Sequence, residues 1–326
     1  MLAETLCEIC GENDWQILGQ RTYTESEGKN KPPYTQKRFR VLFEKWFPGE
    51  KSVTLRSALC GRCGFIVYLP RPEAQDLDAK YRFIDDLGQD YGHAIPPDSP
   101  IVINRSNNLL RYLDNKIDLT KVNRILDYGG GDGRLMRAFR DLGKQCYLVD
   151  YNKNCVPGVT KLSDTINELD PHEKFDLIIC SHVLEHVAQP LQVLKLLTAH
   201  LSEEGRIFVE VPFEVWKRPP LHDEPVTHIN FFTPNSLHNL LLKGELVVNR
   251  CELASSPNHA GIDRHAIRAI GARAGISTSA AAQTKLLAPD AMELLNPNAL
   301  RSLRYHMYLP LKIPKLALSK LRRLAK

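Results

Sequence analysis

The stretch Ile125–Arg134, ILDYGGGDGR, decides how this chain is read. Two apolar residues lead into Asp127, and then Gly129, Gly130, Gly131 and Gly133 crowd five positions. That is a strand emptying into a tight turn, because glycine accepts positive φ and lets a ligand lie against bare peptide groups. Behind the turn, GRLMRAFRDLG places Leu135, Met136, Phe139 and Leu142 at helical spacing and ends on Gly143, a stop signal. The segment reads as strand, glycine loop, helix.

Outward from this point the chain alternates. CYLVD, ending at Asp150, reads as the next strand, followed by a short strand at Val159–Leu162 and by KFDLIICS. PLQVLKLLTAHLSEEG reads as a helix, RIFVEVP as a strand, TPNSLHNLLLKG as a helix, and ELVVNRCEL and HAIRAIGAR as the closing strands. Strands alternating with helices imply an α/β fold with a mostly parallel sheet covered on both faces. A dinucleotide site would need G-x-G-x-x-G, but counting from Gly129 puts Arg134 where the third glycine belongs. What stands here is D-x-G-x-G-x-G, which suits a ligand with an amino-acid end and an adenosine end but no phosphate. Asp127, at the strand end, can lie near a cationic amino group. Asp150, 17 residues beyond Gly133, can accept two hydrogen bonds from ribose hydroxyls.

Composition narrows the class. The 326 residues carry a formal net charge of +5, but Arg301–Lys326 holds eight Lys or Arg and no acid, leaving 35 bases against 38 acids before it. Basicity therefore belongs to the tail, and a nucleic-acid partner is not expected from charge. No stretch approaches the roughly 18 to 20 continuous apolar residues of a membrane span, and the N-terminus lacks a secretory leader, so a cytoplasmic protein is the default expectation. Four of the eight cysteines form two close pairs; Cys146, Cys155, Cys180 and Cys251 are scattered singly.

ILDYGGGDG, CYLVD, FDLIICSHVLEHV and RIFVEVP, in that order, resemble the class I S-adenosylmethionine-dependent methyltransferases over about Val122–Arg273. HINFFTPNSLHNLL and the CxxC pairs CEIC and CGRC are similar to the branch that carries an N-terminal zinc-binding module, to which sugar C-methyltransferases belong. The resemblance implies a Rossmann-like seven-stranded sheet and S-adenosylmethionine as cofactor. It places Asp127, Gly129, Gly131 and Gly133 against the methionine part, Asp150 on the ribose, Ser163, Asp164 and Thr165 beside the adenine, and Ser181 and His182 along the methyl-donor pocket. His186 is expected to be architectural, fixing the start of the following helix.

An already activated methyl donor leaves the protein to align the acceptor and exclude water, with a base where the acceptor is a hydroxyl or a carbon acid. EVPFEVWKRPPLHDEPVTHINFFTP, after the fifth strand of that domain, holds the candidates. His228 occupies the position at which the sugar-methylating relatives place an active-site histidine. Thr227 stands where they have a glutamate, which turns the expectation from a carbon acid toward a hydroxyl. His222, with Asp223 and Glu224, can bind substrate or complete an acid–base pair. Tyr81 and Tyr91 fall where the relatives supply a tyrosine over the substrate.

Cys7, Cys10, Cys60 and Cys63, each pair followed by glycine, offer four thiolates for a closed structural zinc site. The expected domains are a zinc module at 1–75, a helical connector at 76–120, the methyltransferase domain at 121–275 and a basic helical tail at 276–326. The tail segment LPLKIPKLALSKLRRLAK is amphipathic, and a peripheral contact with an anionic membrane is one reading of it. The expected activity is methyl transfer to a sugar or other small metabolite. RNA methylation with the zinc module as grip, and cofactor binding without turnover, are the competing readings.

Overall fold

A computed structural model of the protein describes residues 5–87, 95–257, 263–273 and 285–307. The chain opens with three strands, β1 (Trp15–Thr24), β2 (Ser52–Cys60) and β3 (Ile66–Leu69), paired antiparallel in that order. Beyond the helices Ala74–Asp86 and Pro100–Asp114 come β4 (Arg124–Tyr128), β5 (Gln145–Val149), β6 (Val159–Ser163), β7 (Phe175–Ser181) and β8 (Leu201–Pro212). A two-residue strand, β9 (Asn230–Phe231), precedes the helix Pro234–Lys243, and β10 (Leu246–Pro257) and β11 (Asp263–Arg273) follow it.

Seven of these strands form one sheet in the order β10-β11-β8-β7-β4-β5-β6. The pairs from β6 across to β8 are parallel, while β11 runs antiparallel to β8 and β10 antiparallel to β11. This is the Rossmann-like sheet expected from the alternation. The central strands are buried on both faces, which explains why FDLIICS is a continuous apolar run. Ile125, Leu148, Leu177, Ile179 and Phe208 pack to one side with Leu109 and Leu113 of the helix Pro100–Asp114. Leu126, Val149, Ile178, Cys180 and Val209 pack to the other, with Leu194, Leu197, Leu237, Leu240 and Leu241 from two helices.

That second core does not stop at the helices. Phe65, Ile66 and Tyr68 of the N-terminal sheet belong to it, and β9 pairs antiparallel with β3, matching Ile66 to Phe231 and Val67 to Asn230. A piece of the long segment after β8 is thus the fourth strand of the N-terminal sheet. The helix that follows starts cleanly because Thr233 caps it: its Oγ1 accepts from the Ser236 amide at 3.1 Å, and Pro234 stands in the first turn.

Two local expectations change. The helix read through Gly205 ends at Ala199, and Leu201–Gly205 enters β8 instead, Leu201 pairing with Phe175. Burial of Leu201 beside Phe175, at the start of an inner strand, outweighs the helical spacing of LSEEG. The helix behind the glycine loop shrinks to a 3-10 turn, Arg134–Met136, and the five-residue helix Arg137–Asp141.

Asn239, fully buried on the helix Pro234–Lys243, donates to the carbonyls of Cys63 and Leu287 at 3.0 and 2.9 Å and accepts from the Leu287 amide at 2.8 Å. Asn239→Ala strands buried peptide groups at about 1–3 kcal/mol each. Chemical denaturation should show a loss of about 3 kcal/mol; an unaltered midpoint would mean this tie contributes nothing.

Candidate active site

The order of strands reverses direction at β4, which pairs with both β5 and β7, and open α/β sheets bind ligands in the crevice at the carboxyl ends on either side of such a point. β4 delivers the glycine loop there. Gly129, Gly131 and Gly133 take φ of +70°, +66° and +78°. A Cβ on Gly129 would stand 2.5 Å from Val183 Cγ2 and one on Gly130 2.0 Å from Asp127 Oδ2, so the loop closes tightly over its neighbours. A Cβ on Gly131 would meet nothing within 4 Å. Next to that open ground Asp127 is 1% exposed and its Oδ2 has no hydrogen-bond partner. Burial, with Asp150 nearby, pushes its carboxyl up to about 7. Asp150 Oδ2 accepts from the Gly131 amide at 2.8 Å and its Oδ1 from the Asn152 amide at 2.7 Å, so the carboxylate is fixed at the end of β5. An orphaned buried carboxylate and an uncovered loop fit a ligand bringing a cation.

The ends of β7 and β8 hold a connected set of charges. Ser181 Oγ donates to Glu210 Oε1 at 3.0 Å, and Arg268 Nε on β11 donates to Glu210 Oε2 at 2.5 Å, with Arg268 and Glu210 each at or below 5% exposed. His182, at φ +58°, sets Nδ1 3.1 Å from Glu185 Oε1 and Nε2 3.4 Å from Glu210 Oε1. Burial works against its charge, but the hydrogen bonds to Glu185 and Glu210 raise His182 to about 10. Burial likewise opposes the two carboxylates, and their cationic partners hold both below the usual range. Asp164 lies apart: it pairs with Lys161 and is more than half exposed.

His186 follows directly. Its Nδ1 donates to the Thr227 carbonyl at 2.7 Å, so it anchors the loop after β8, not the start of the following helix, which opens at Pro190. Burial pushes it down to about 3, leaving a neutral ring. Its ring stands 4.8 Å, centroid to centroid, from that of His228. His228 Nδ1 meets Glu214 Oε2 at 2.8 Å in a hydrogen bond, and His222 Nε2 stands 3.4 Å from Glu214 Oε1, buried and without a hydrogen-bond partner, so one carboxylate holds His228 and lies beside His222. Burial would depress His228, yet Glu214 raises it, whereas burial wins at His222 and lowers it. Glu214, His222, Asp223, Glu224, Thr227 and His228 line one cleft.

The N-terminal sheet and its helices hold this loop in place. Tyr23 Oη donates to the His222 carbonyl at 2.6 Å and Tyr68 Oη accepts from the His222 amide at 3.1 Å. Arg38 Nε donates to Thr227 Oγ1 at 3.2 Å, and Lys80, 3% exposed, donates to the Thr227 carbonyl at 3.3 Å. Burial, with Arg38 adding to it, brings Lys80 down to about 7. Tyr81, the neighbour of Lys80, is 42% exposed, and Tyr91 lies outside the described residues.

At the far end of the same sheet Cys7, Cys10, Cys60 and Cys63 bring their sulfurs within 4.8 Å of one another, Cys7–Cys63 and Cys10–Cys60 each at 3.5 Å. Thiolates about 2.3 Å from a tetrahedral zinc stand about 3.8 Å apart. The turns that allow it close on Gly11 and Gly64, both at φ +78°, whose amides donate to the Cys7 and Cys60 carbonyls at 2.8 and 3.0 Å. The donor set fits the metal.

Residues 104–248 match the family described as a methyltransferase domain. That stretch runs from the helix Pro100–Asp114 into β10 and takes in the parallel strands of the Rossmann-like sheet. Among curated proteins it is similar to the ubiquinone biosynthesis O-methyltransferases of Bradyrhizobium diazoefficiens, 28% identical over 148 residues (38% of this chain, 58% of that protein), and of Bartonella quintana, 29% identical over 150 residues (38% and 60%). The chain spans under two thirds of those relatives' length. Among solved structures it is similar to the 1,6-didemethyltoxoflavin-N1-methyltransferase of Burkholderia thailandensis with bound S-adenosylhomocysteine, at TM-score 0.48 and 18% identity over 67% of this chain and 95% of that one.

Sequence reading overlooked the acids that organise the site. Glu210 and Glu214 were visible as charges in the apolar run VEVPFEV, and Glu185 as an acid between two histidines in HVLEH. Arg268 gave a weaker signal, a lone cation in HAIRAIGAR.

Removing Arg268 leaves Glu210 buried beside His182 alone. Arg268→Met should cost about 3–5 kcal/mol, read as a lower midpoint in guanidinium; a midpoint within error of the parent protein would show that the pair is neutral.

Proposed function

We propose that the protein transfers a methyl group from S-adenosylmethionine to a hydroxyl of a small molecule, and that its N-terminal sheet is a zinc module that shapes the acceptor side. The observation that carries this reading is the Glu214 carboxylate set between His222 and His228, on a loop joined through His186, Glu185 and His182 to the glycine-loop end of the crevice.

When bound, S-adenosylmethionine supplies a methyl group already activated on a sulfonium. Asp127, with its free Oδ2, meets the cationic amino group of the methionine part, and Gly129, Gly131 and Gly133 keep that side bare. Asp150 holds the ribose hydroxyls, Asp164 borders the adenine, and Ser181 and His182 line the donor pocket. His182 and Arg268 neutralise Glu210 and Glu185, so those carboxylates do not draw protons from the acceptor. The acceptor hydroxyl lies against His228 and gives its proton to the cluster that Glu214 ties together, His222 being its second imidazole. Tyr81, exposed on the helix Ala74–Asp86, covers the acceptor in this reading. The names of the curated relatives favour an oxygen on a small molecule and lend no particular support to a sugar. Four thiolates saturate a zinc ion, so its part here is to hold the β1–β3 sheet, and with it the His222–His228 loop, in register.

Incubation with radiolabelled cofactor and fractionated small-molecule extract tests the reading: label in a base-stable ether product supports it, and label only in RNA or in no fraction overturns it. Asp150→Ala should abolish cofactor binding. His228→Ala should leave binding intact and lower turnover by about 10²–10⁴-fold; normal turnover would remove His228 from the chemistry.

The Asp127 carboxyl at about 7 gives a pH dependence. A cationic ligand favours the ionised form, so binding releases a proton from the fraction protonated at the start. S-adenosylhomocysteine should therefore bind more weakly as pH falls through 7, approaching tenfold per unit, with proton uptake by buffer visible in calorimetry between pH 6 and 8. A flat affinity across that range would take Asp127 away from the amino group.

A further inference from the structure

We infer that Glu185, His186 and His228 form a second metal site, distinct from the four cysteines, for a first-row divalent cation. One donor atom from each residue lies within 4.8 Å of the others. The tautomers follow from their partners. A carbonyl only accepts, so His186 Nδ1 carries the hydrogen bonded to Thr227 O at 2.7 Å; a carboxylate likewise makes His228 Nδ1 the donor to Glu214 at 2.8 Å. Both rings therefore turn an Nε2 lone pair away from these contacts. Metal-binding histidines are held in this way, the second ring nitrogen donating to a carbonyl or carboxylate. The third donor is Glu185, 1% exposed: its Oε1 stands 3.8 Å from His186 Nε2, and its Oε2 has no hydrogen-bond partner. A buried carboxylate with an oxygen left without a partner is costly, and a cation held by that carboxylate and the two imidazoles offsets the cost.

The chemical class follows from the donors. Two imidazoles and one carboxylate suit zinc, iron, manganese or cobalt in the divalent state and are poor ligands for calcium or magnesium. Three protein ligands leave positions open, unlike the closed thiolate site. The His186 and His228 side chains are 25% and 21% exposed, so those positions are reachable from the acceptor cleft. Use of the ion in methyl transfer rests on the function proposed above: with His228 as ligand, the acceptor oxygen occupies an open position and its proton passes to His222 on the other oxygen of Glu214. Binding of the ion rests on the triad alone.

The test uses the full chain with the cysteine site filled by zinc. Titration with Co2+ followed by dialysis should leave one cobalt per chain, with visible d–d absorption and without the near-ultraviolet thiolate-to-cobalt band that a cysteine site gives. Glu185→Gln and His186→Gln should each weaken that binding by about 10- to 100-fold, with zinc content and far-ultraviolet circular dichroism unchanged. Cysteine-site zinc and folding are thereby read separately from the new site. Cobalt on the triad supports the inference whether or not any acceptor is methylated. Absence of a second metal, a thiolate band, or binding indifferent to both substitutions overturns it, and methyl transfer that persists would then leave the proposed function standing without it.

Discussion

The pairing of Asn230–Phe231 with Ile66–Val67 is the constraint on which the loop carrying His222 and His228 depends. The segment between β8 and the helix Pro234–Lys243 is long and irregular, and a buried loop must find partners for its peptide groups. The N-terminal sheet supplies them. Asn230, itself fully buried, donates to the carbonyls of Leu184 and Val187 and accepts from Arg71, which ties the turn carrying Glu185 and His186 to the same strand. Phe231 packs at 4.8 Å against Tyr68, and Tyr23 and Tyr68 clamp the peptide of His222. Position is thus imposed on the histidines by two sheets at once, although neither sheet contains them.

Electrostatics then divides the crevice. At the β7–β8 end every buried carboxylate has a cation: Glu210 has Arg268 and His182, and Glu185 has His182. Buried ion pairs of this kind add little net stability but punish removal of one member, so their contribution is to fix protonation states. His182 stays charged and His186 stays neutral although they sit on the same turn. The difference comes from the partners, since His182 faces two carboxylates and His186 gives its Nδ1 hydrogen to a neutral carbonyl. Lys80, behind Thr227, adds to burial in disfavouring a charge on His186.

The fold was legible because its signals are local. A glycine-rich turn after an apolar strand, an acid at the end of the next strand and the β/α alternation each require only a short window of sequence. The cysteine pairs were legible for the same reason, through their spacing and the glycines behind them. The candidate site was legible in part: the sequence singles out His222 and His228, which line one cleft, but not Glu185, Glu210, Glu214 and Arg268. Three of them act through contacts distant in sequence, Arg268 reaching Glu210 over 58 positions and Glu214 reaching His228 over 14, while Glu185 meets His182 three positions away on a turn that has no regular period. No periodicity announces a charge whose partner lies on another strand. The shortened helix behind the glycine loop has a related cause, since tertiary burial settled what helical spacing left open.

The two halves of the crevice also differ in how they are built. The cofactor side rests on backbone: positive-φ glycines and amides that hold Asp150. The acceptor side rests on side chains from the N-terminal sheet and its helices, among them Tyr23, Tyr68, Arg38 and Lys80. Substitutions in a region remote in sequence can therefore reshape the acceptor cleft without touching the donor. The cysteine knuckle enters this arrangement through Asn239, which joins the Cys63 carbonyl to the helix beginning just after β9. A loosened knuckle would shift β3, β3 would shift β9, and the imidazoles would move with it, while the glycine loop on β4 kept its shape. Acceptor geometry is in this sense the part of the molecule that the N-terminal module controls.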